Sequence, residues 1–532
     1  MVLRRKLAIV FLAAALLLPT LPQGFWGGEA AAATNPFAGV QWLRNDPDSP
    51  VTQKANEWRG SRPGDAALLD IIAREQTADW IGGWYSADVM ADYVSRLVTK
   101  YVNAGSVPIL VAYNVPILDC NRSRGAKSSG EYLAWITRFA QAIGQRKAVV
   151  ILEPDALTHT DCSGEGLDPN ARYQLIGQAV DIFKRNSGAS VYIDGGDSNR
   201  NTVAEITTIL QAANIARADG FFLNATVFQY TSREVAYGEA VGNALGGKHF
   251  IVDTSRNGLG PGQESWCNAR DRALGLAPTT NTGSPLADAF IWIKPVWQSD
   301  NTCDQGDPPP GEPFWEYALT LVRHHQQPFN DMPTDGEFAE AVRELTMRGI
   351  IRGNGDGTFG TNNTTLRAQM AALLTRPMAW ELNNHGNKFP DQCDGGNCVD
   401  RDLWRNVGAL AAYNVGPLAD YRVANGYEDG TYNPRGEVLV GQTILFISRA
   451  MVYKGYWTLQ ADNAQLLTNI APANERQAMD RRFLVTYAHY TQALGGIPGQ
   501  GSTAVFSGHE QPAPRSFFAV ALYRALKTAY LP

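Results

Sequence analysis

The sequence predicts an α/β protein whose parallel sheet closes into a β/α barrel, followed by a mostly α-helical C-terminal region. Three observations carry this. Between residues 35 and 325, short β-branched apolar runs alternate with amphipathic helical stretches, the pattern of a parallel sheet covered on both faces. The ends of those runs are polar and acidic, and in such a barrel the C-terminal strand ends share one face. Beyond residue 329 the strand-like runs stop and related helix–turn–helix units take over.

Residues 1–33 read as an export signal. Arg4, Arg5 and Lys6 precede an apolar run over 7–18, and small residues follow at 30–33. An apolar run of 12 residues is too short to span a bilayer, and no later segment is long enough, so the mature chain is expected to be secreted with no membrane span.

The first domain is expected over 34–328. Strands are predicted at 106–114, 147–155, 189–197, 219–226, 248–256 and 288–296, with helices such as 86–105, 130–146 and 171–188 between them. Their ends carry Tyr113 and Asn114, Glu153 and Asp155, Asp194 and Asp197, Asn224, Asp253 and Arg256, then Lys294 and Asp300. Carboxylates converging from separate strands can supply the acid and base of glycoside hydrolysis. Some of them could equally cap the helices that follow.

Composition narrows the partners. Lys and Arg total 46 against 52 Asp and Glu, a net charge of -6, so no basic excess exists to neutralise nucleic acid. The 13 Trp, 20 Tyr and 20 Phe suit flat polar ligands such as sugars. Six cysteines allow 15 pairings, and pairing neighbours gives the loops 120–162, 267–303 and 393–398, from Cys120, Cys162, Cys267, Cys303, Cys393 and Cys398. An exported compartment favours disulfides. His324 and His325 are adjacent, so on a helix their rings are expected to diverge into solvent rather than bind metal.

The strings VAYNVPILDC, VVILEPDALT, VYIDGG, FIVDTSRNGLGP, ESWCN and DAFIWIKP, followed by Asp300, stand in the order seen in glycoside hydrolase family six. The resemblance runs from about residue 35 to 325. It implies a distorted seven-stranded β/α barrel with a β-1,4-glucan lying across its C-terminal face, inverting chemistry, and no cofactor. It also implies disulfides Cys120–Cys162 and Cys267–Cys303. By the same resemblance Asp155 is the general acid, Asp119 the carboxylate that keeps the acid protonated, Tyr113 the residue that crowds the reacting sugar, and Asp300 the proposed base. Lys294, Asp194, Asn224 and Arg256 fall on the substrate face, and Trp80 and Trp266 match stacking tryptophans. Four positions depart from the family: Leu118 for an arginine, Gln298 for a glutamate, and Asp197 and Arg200 for a histidine and a tryptophan. Each lost contact could weaken binding by roughly 1–3 kcal/mol.

The second region, 329–532, holds units at about 329–376, 389–450 and 474–526. GNGDGTF in the first is answered by GYEDGTY in the second, Asp356 by Asp429 and Phe359 by Tyr432. These resemble S-layer homology modules, which implies attachment to a cell-wall polymer, with Arg367 and Arg515 as candidate contacts. GNGDGTF lacks the acidic residue at the twelfth loop position that calcium needs, so a plain turn is expected. Only PFN separates the regions, so they are expected to sit close together. The reading is a secreted endo-acting β-1,4-glucan hydrolase with a wall-attachment region. The alternative, from the four substitutions, is a non-catalytic cell-surface glucan-binding or adhesion protein.

Overall fold

The computed structural model describes residues 35–532 except 163, 263–265, 305, 379, 381, 383–387, 392–400, 419–420, 463–473, 492–509 and 530–532. The expected signal segment and the Cys393–Cys398 pair therefore lie outside the described residues.

Helices α1 (Pro50–Trp58) and α2 (Pro63–Ala73) lead into β1 (Asp79–Gly82) and α3 (Ala87–Asn103). Then come β2 (Ile109–Tyr113), α4 (Ser129–Ile143), β3 (Ala148–Leu152), α5 (Pro169–Asn186), β4 (Ala189–Asp194) and α6 (Val203–Ala212). The domain finishes with β5 (Gly220–Leu223), α7 (Thr231–Ala244), β6 (His249–Asp253), β7 (Ala287–Ile291) and α8 (Trp315–Gln326). The seven strands form one sheet in sequential order, every neighbouring pair parallel. The sheet curls until its two edges touch, Ala78 N donating to Trp292 O at 2.9 Å.

Strand alternation divides the core. Ile109, Val111, Val149, Ile151, Phe222, Ile251 and Ile291 fill the barrel interior. Leu110, Ala112, Val150, Leu152, Val191 and Val252 face outward and pack under the helices. Helix starts are capped where the sequence offers a hydroxyl: Ser128 Oγ accepts from Glu131 N at 3.2 Å, and Thr202 and Glu205 form a reciprocal capping box.

The C-terminal region is helical: α9 (Gly336–Met347), α10 (Arg367–Thr375), α11 (Arg401–Ala411), α12 (Val440–Tyr453), α13 (Glu475–Thr491) and α14 (Arg515–Lys527) around one apolar core. The short segments before α10, α12 and α14 pair with one another through Thr364 with Pro514, Leu366 with Glu437, and Leu439 with Pro512. GNGDGTF is a tight turn in which Asn354 N donates to Thr358 O and Asp356 accepts from Thr358 N, each at 2.9 Å. This region docks on the barrel. Thr231 Oγ1 donates to Met347 O at 3.0 Å, Ser232 N to Arg348 O at 2.9 Å, and the Arg352 guanidinium lies 4.0 Å above the Tyr230 ring. No helix among the described residues is long and apolar enough to cross a membrane.

Two expectations need correction. The strand β1, DWIG, was not among the six apolar runs, because four residues opening on Asp and Trp leave no readable run. His324 and His325 do not point into solvent: their Nδ1–H groups donate to the carbonyls of Arg272 and Leu274 at 2.8 and 3.1 Å. A loop lying along α8 takes up both rings, and burial lowers the pKa of His325.

Candidate active site

The residues at the C-terminal strand ends meet on one face, and the backbone there departs from strand geometry. Glu153 and Asp155, just past β3, have φ of 53° and 67°, and Asp119 beyond β2 has 51°, all in the left-handed region. Buried Glu153 holds the neighbouring loop: its carboxyl oxygens accept from Asn114 N at 2.9 Å and Val115 N at 3.0 Å. Arg172 closes the same loop by donating to Pro116 O. The disulfide Cys120–Cys162 ties the loop after β2 to the loop after β3, and Cys267–Cys303 ties the loops after β6 and β7.

Asp155 has its pKa raised to about 7, first by burial and then by the charge of Asp194, which more than offset the opposing charge of Arg200. Asp119 contributes behind these. The expected cause was Asp119 alone, so the order of causes is corrected: removal from water comes first. Asp119 itself accepts from the Tyr113 hydroxyl at 2.5 Å and faces Arg124 Nη1 at 2.5 Å. Burial pushes the Tyr113 phenol up, so it remains a donor to Asp119.

Asp300 stands apart from this group in its electrostatics. Arg256 Nη1 lies 2.7 Å away and Lys294 Nζ 3.0 Å away, and Asn268 N donates to it at 2.9 Å. These cations overcome burial and hold the carboxyl well below the usual range, while burial lowers the Lys294 pKa. Lys294 also sits 5.9 Å from the Trp80 ring centre. Trp80 is fixed by Nε1 donating to Ile293 O at 2.8 Å and meets Tyr113 edge-on at 5.0 Å. Trp266 is 56% exposed.

Three expected substrate-facing residues are engaged by internal bonding, two of them fully. Asp194 accepts from Leu157 N, Thr158 N, Thr158 Oγ1 and Gly196 N. Asn224 bonds Gln229 N, Gln229 O and Asp253 O. Arg256, buried, is committed only in part: its Nη1 donates to Asp300 and Tyr317, while its Nη2 is buried without a hydrogen-bond partner. In the C-terminal region Arg367 is likewise buried, 4.5 Å from the Tyr432 ring centre and donating to Tyr432 O at 2.7 Å. Arg515 is more open: it donates to Asn354 Oδ1 at 2.8 Å beside a cavity of about 460 Å³ lined by Asn363, Thr364 and Gln369.

Sequence reasoning missed Arg124 and the anchoring part of Glu153. The one readable hint was Arg124 six residues past the position where Leu118 replaces an arginine.

Against known proteins, the family described as Glycosyl hydrolases family 6 matches residues 37–325, and the S-layer homology domain matches 328–371. Endoglucanase A of Cellulomonas fimi is 39% identical over 282 residues, covering 52% of this chain and 60% of that protein. Endoglucanase A of Thermobispora bispora is 35% identical over 299 residues, and the chain covers 64% of its length. Endoglucanase 1 of Streptomyces halstedii is 34% identical over 304 residues, 54% of this chain and 90% of that one. An endoglucanase structure from Mycobacterium tuberculosis, in complex with a methyl-cellobiosyl thio-cellobioside, shares 34% identity with a TM-score of 0.51, covering 54% of this chain and 98% of its own.

Proposed function

Because the chain belongs to glycosyl hydrolase family 6 over residues 37–325 and carries an S-layer homology domain over 328–371, we propose that it is a secreted, endo-acting, inverting β-1,4-glucan hydrolase held at the cell surface. The observation that carries the reading is Asp155, a strand-end carboxyl whose proton is retained to about pH 7 by burial and by Asp194. A group that keeps its proton near neutrality can deliver it to a departing glycosidic oxygen. Tyr113 and Asp119 beside it would crowd the reacting sugar and manage the acid's charge. Trp80 and Trp266 would stack glucose rings, and Lys294 would meet sugar hydroxyls.

Asp300, clamped by two cations, is a weak direct proton acceptor, so as base it would act through an intervening water that it orients and polarises. The strap 301–313 after it is too short to roof the cleft, which favours internal cutting. The C-terminal units over 329–532 would contact wall polymer through the Arg515 cavity rather than through buried Arg367.

Reducing-sugar release across a panel of polysaccharides tests the substrate, and the anomer first released, followed by NMR, tests inversion. Asp155→Asn should abolish hydrolysis and retain glucan binding. Binding by the parent chain without release of soluble sugar would sink the enzyme reading in favour of a glucan-binding protein.

A further inference from the structure

Trp84 is 57% exposed, yet its position is tightly specified. Along β1, Trp80 faces the barrel interior and Ile81 the outer core, so Gly82 again faces inward. In the parallel register Gly82 stands opposite Tyr113, whose side chain lies at the site. A Cβ built on Gly82 would come within 2.2 Å of Trp84 Cζ3 and 2.5 Å of Cη2. The indole therefore occupies the space that a side chain at 82 would fill, on the Tyr113 side of the strand. Two residues along a strand advance about 6.6 Å, which puts the ring one layer above Trp80, at the barrel mouth.

The turn beneath it has little freedom. A Cβ on Gly83 would meet Asn114 Oδ1 at 2.4 Å, and Asn114 N is bonded to buried Glu153. One indole face is thus laid on packed backbone, the Tyr85 ring lies tilted 6.1 Å away, and more than half of the residue is open to solvent. A flat, pre-positioned aromatic surface beside a carbohydrate cleft offers its face to the C–H groups of a pyranose ring at low entropic cost.

We propose that Trp84 is a sugar-stacking platform that takes a glucose unit of the glucan chain at the barrel mouth, next to the unit held by Trp80 and Tyr113. The inference rests on the β-glucan reading above. It explains why β1 ends on a glycine with a second glycine in the turn that follows, and why a large indole is left exposed there.

The test compares the full chain with Trp84→Ala, Trp84→Tyr and Trp84→Leu on a soluble β-1,4-glucan. Trp84→Ala should raise KM about two- to tenfold with kcat within about twofold, the size of one stacking contact. Trp84→Tyr should restore most of the loss, and Trp84→Leu, which fills space without an aromatic face, should not. Full rescue by leucine, or a loss confined to kcat, would overturn the platform. Melting temperature reports whether each variant folds as the parent does. If the parent chain neither binds nor cuts β-glucan, the functional reading fails and the platform falls with it. If the parent does both and Trp84→Ala matches it, the platform alone fails.

Discussion

Arg124 Nη1 lies 2.5 Å from one oxygen of Asp119 while the Tyr113 hydroxyl bonds the other at 2.5 Å, so the carboxylate is held from two sides. Leu118, where the family usually has an arginine, is buried and carries no charge. The cation comes instead from across the loop, which turns back on itself through left-handed residues at Ile117, Asp119 and Cys120.

From this pair follows a split between activity and stability. Both side chains are substantially exposed, 47% and 30%, so the ion pair contributes at most about 1 kcal/mol to folding. Its value is in aiming Asp119. Arg124→Ala is expected to lower kcat about tenfold, equivalent to ~1.4 kcal/mol of barrier, with KM and melting temperature little changed. Arg124→Lys should recover part of it. Unchanged kcat in the alanine variant would mean that Tyr113 alone orients Asp119.

The Arg256–Asp300 pair should behave in the opposite way, because its side chains are 1% and 4% exposed. Arg256→Leu leaves a buried carboxylate with Lys294 as its remaining cation, and breaking such a pair costs about 3–5 kcal/mol. Asp300 has a depressed pKa, so its contribution to stability is present above the ordinary carboxylate range and is lost as pH falls through its folded value. The variant should therefore melt lower at pH 7 and show its acid-side activity loss at higher pH than the parent. A parent-like denaturation midpoint would show that the pair is not the anchor described.

How much of this could be read from sequence depends on what kind of fact it is. Each of the six apolar runs coincides with a strand, five containing theirs and the sixth starting one residue inside β7, because continuous burial on both faces leaves a one-dimensional trace. The strand-end residues were also readable as a set. Which of their atoms were already committed was not: Asp194 and Asn224 look as available as Asp155 until the folded backbone supplies their partners. Arg124 escaped notice because its meeting with Asp119 depends on three left-handed residues that no periodicity announces. Trp84 escaped because an exposed and a buried tryptophan have the same letter.

Four buried carboxyls give the protein an acid-favouring stability profile. Asp155 and Asp79 are raised to about 7, and Glu153 and Glu234 to about 8, each chiefly by burial. In the unfolded chain all four lose their protons near pH 4. Between about pH 4 and 8 the folded state binds more protons, so stability falls as pH rises through that window. Asp155→Asn removes one such group and keeps its shape. Urea midpoints should show the variant more stable than the parent at pH 8 and equal to it at pH 4. A variant less stable at pH 8 would refute a protonated Asp155.

The alkaline limb of the pH–rate profile should follow Asp155 and report on its neighbours in order of their influence. Arg200 donates through Nε to Thr158 O at 3.0 Å, on the loop that leaves Asp155, and its positive charge favours the ionised acid. Asp119 acts with the opposite sign and less strongly. Arg200→Met keeps the stem and removes the charge, so the limb should move to higher pH. Asp119→Ala should move it to lower pH, by a smaller amount and with a loss of rate. Arg200 is exposed, so its effect is screened, and the Arg200→Met shift should shrink as ionic strength rises past 0.1 M, where the Debye length is about 10 Å. A limb that moves down in Arg200→Met, or a shift indifferent to salt, would show that the arginine reaches Asp155 by bonding geometry rather than by its field.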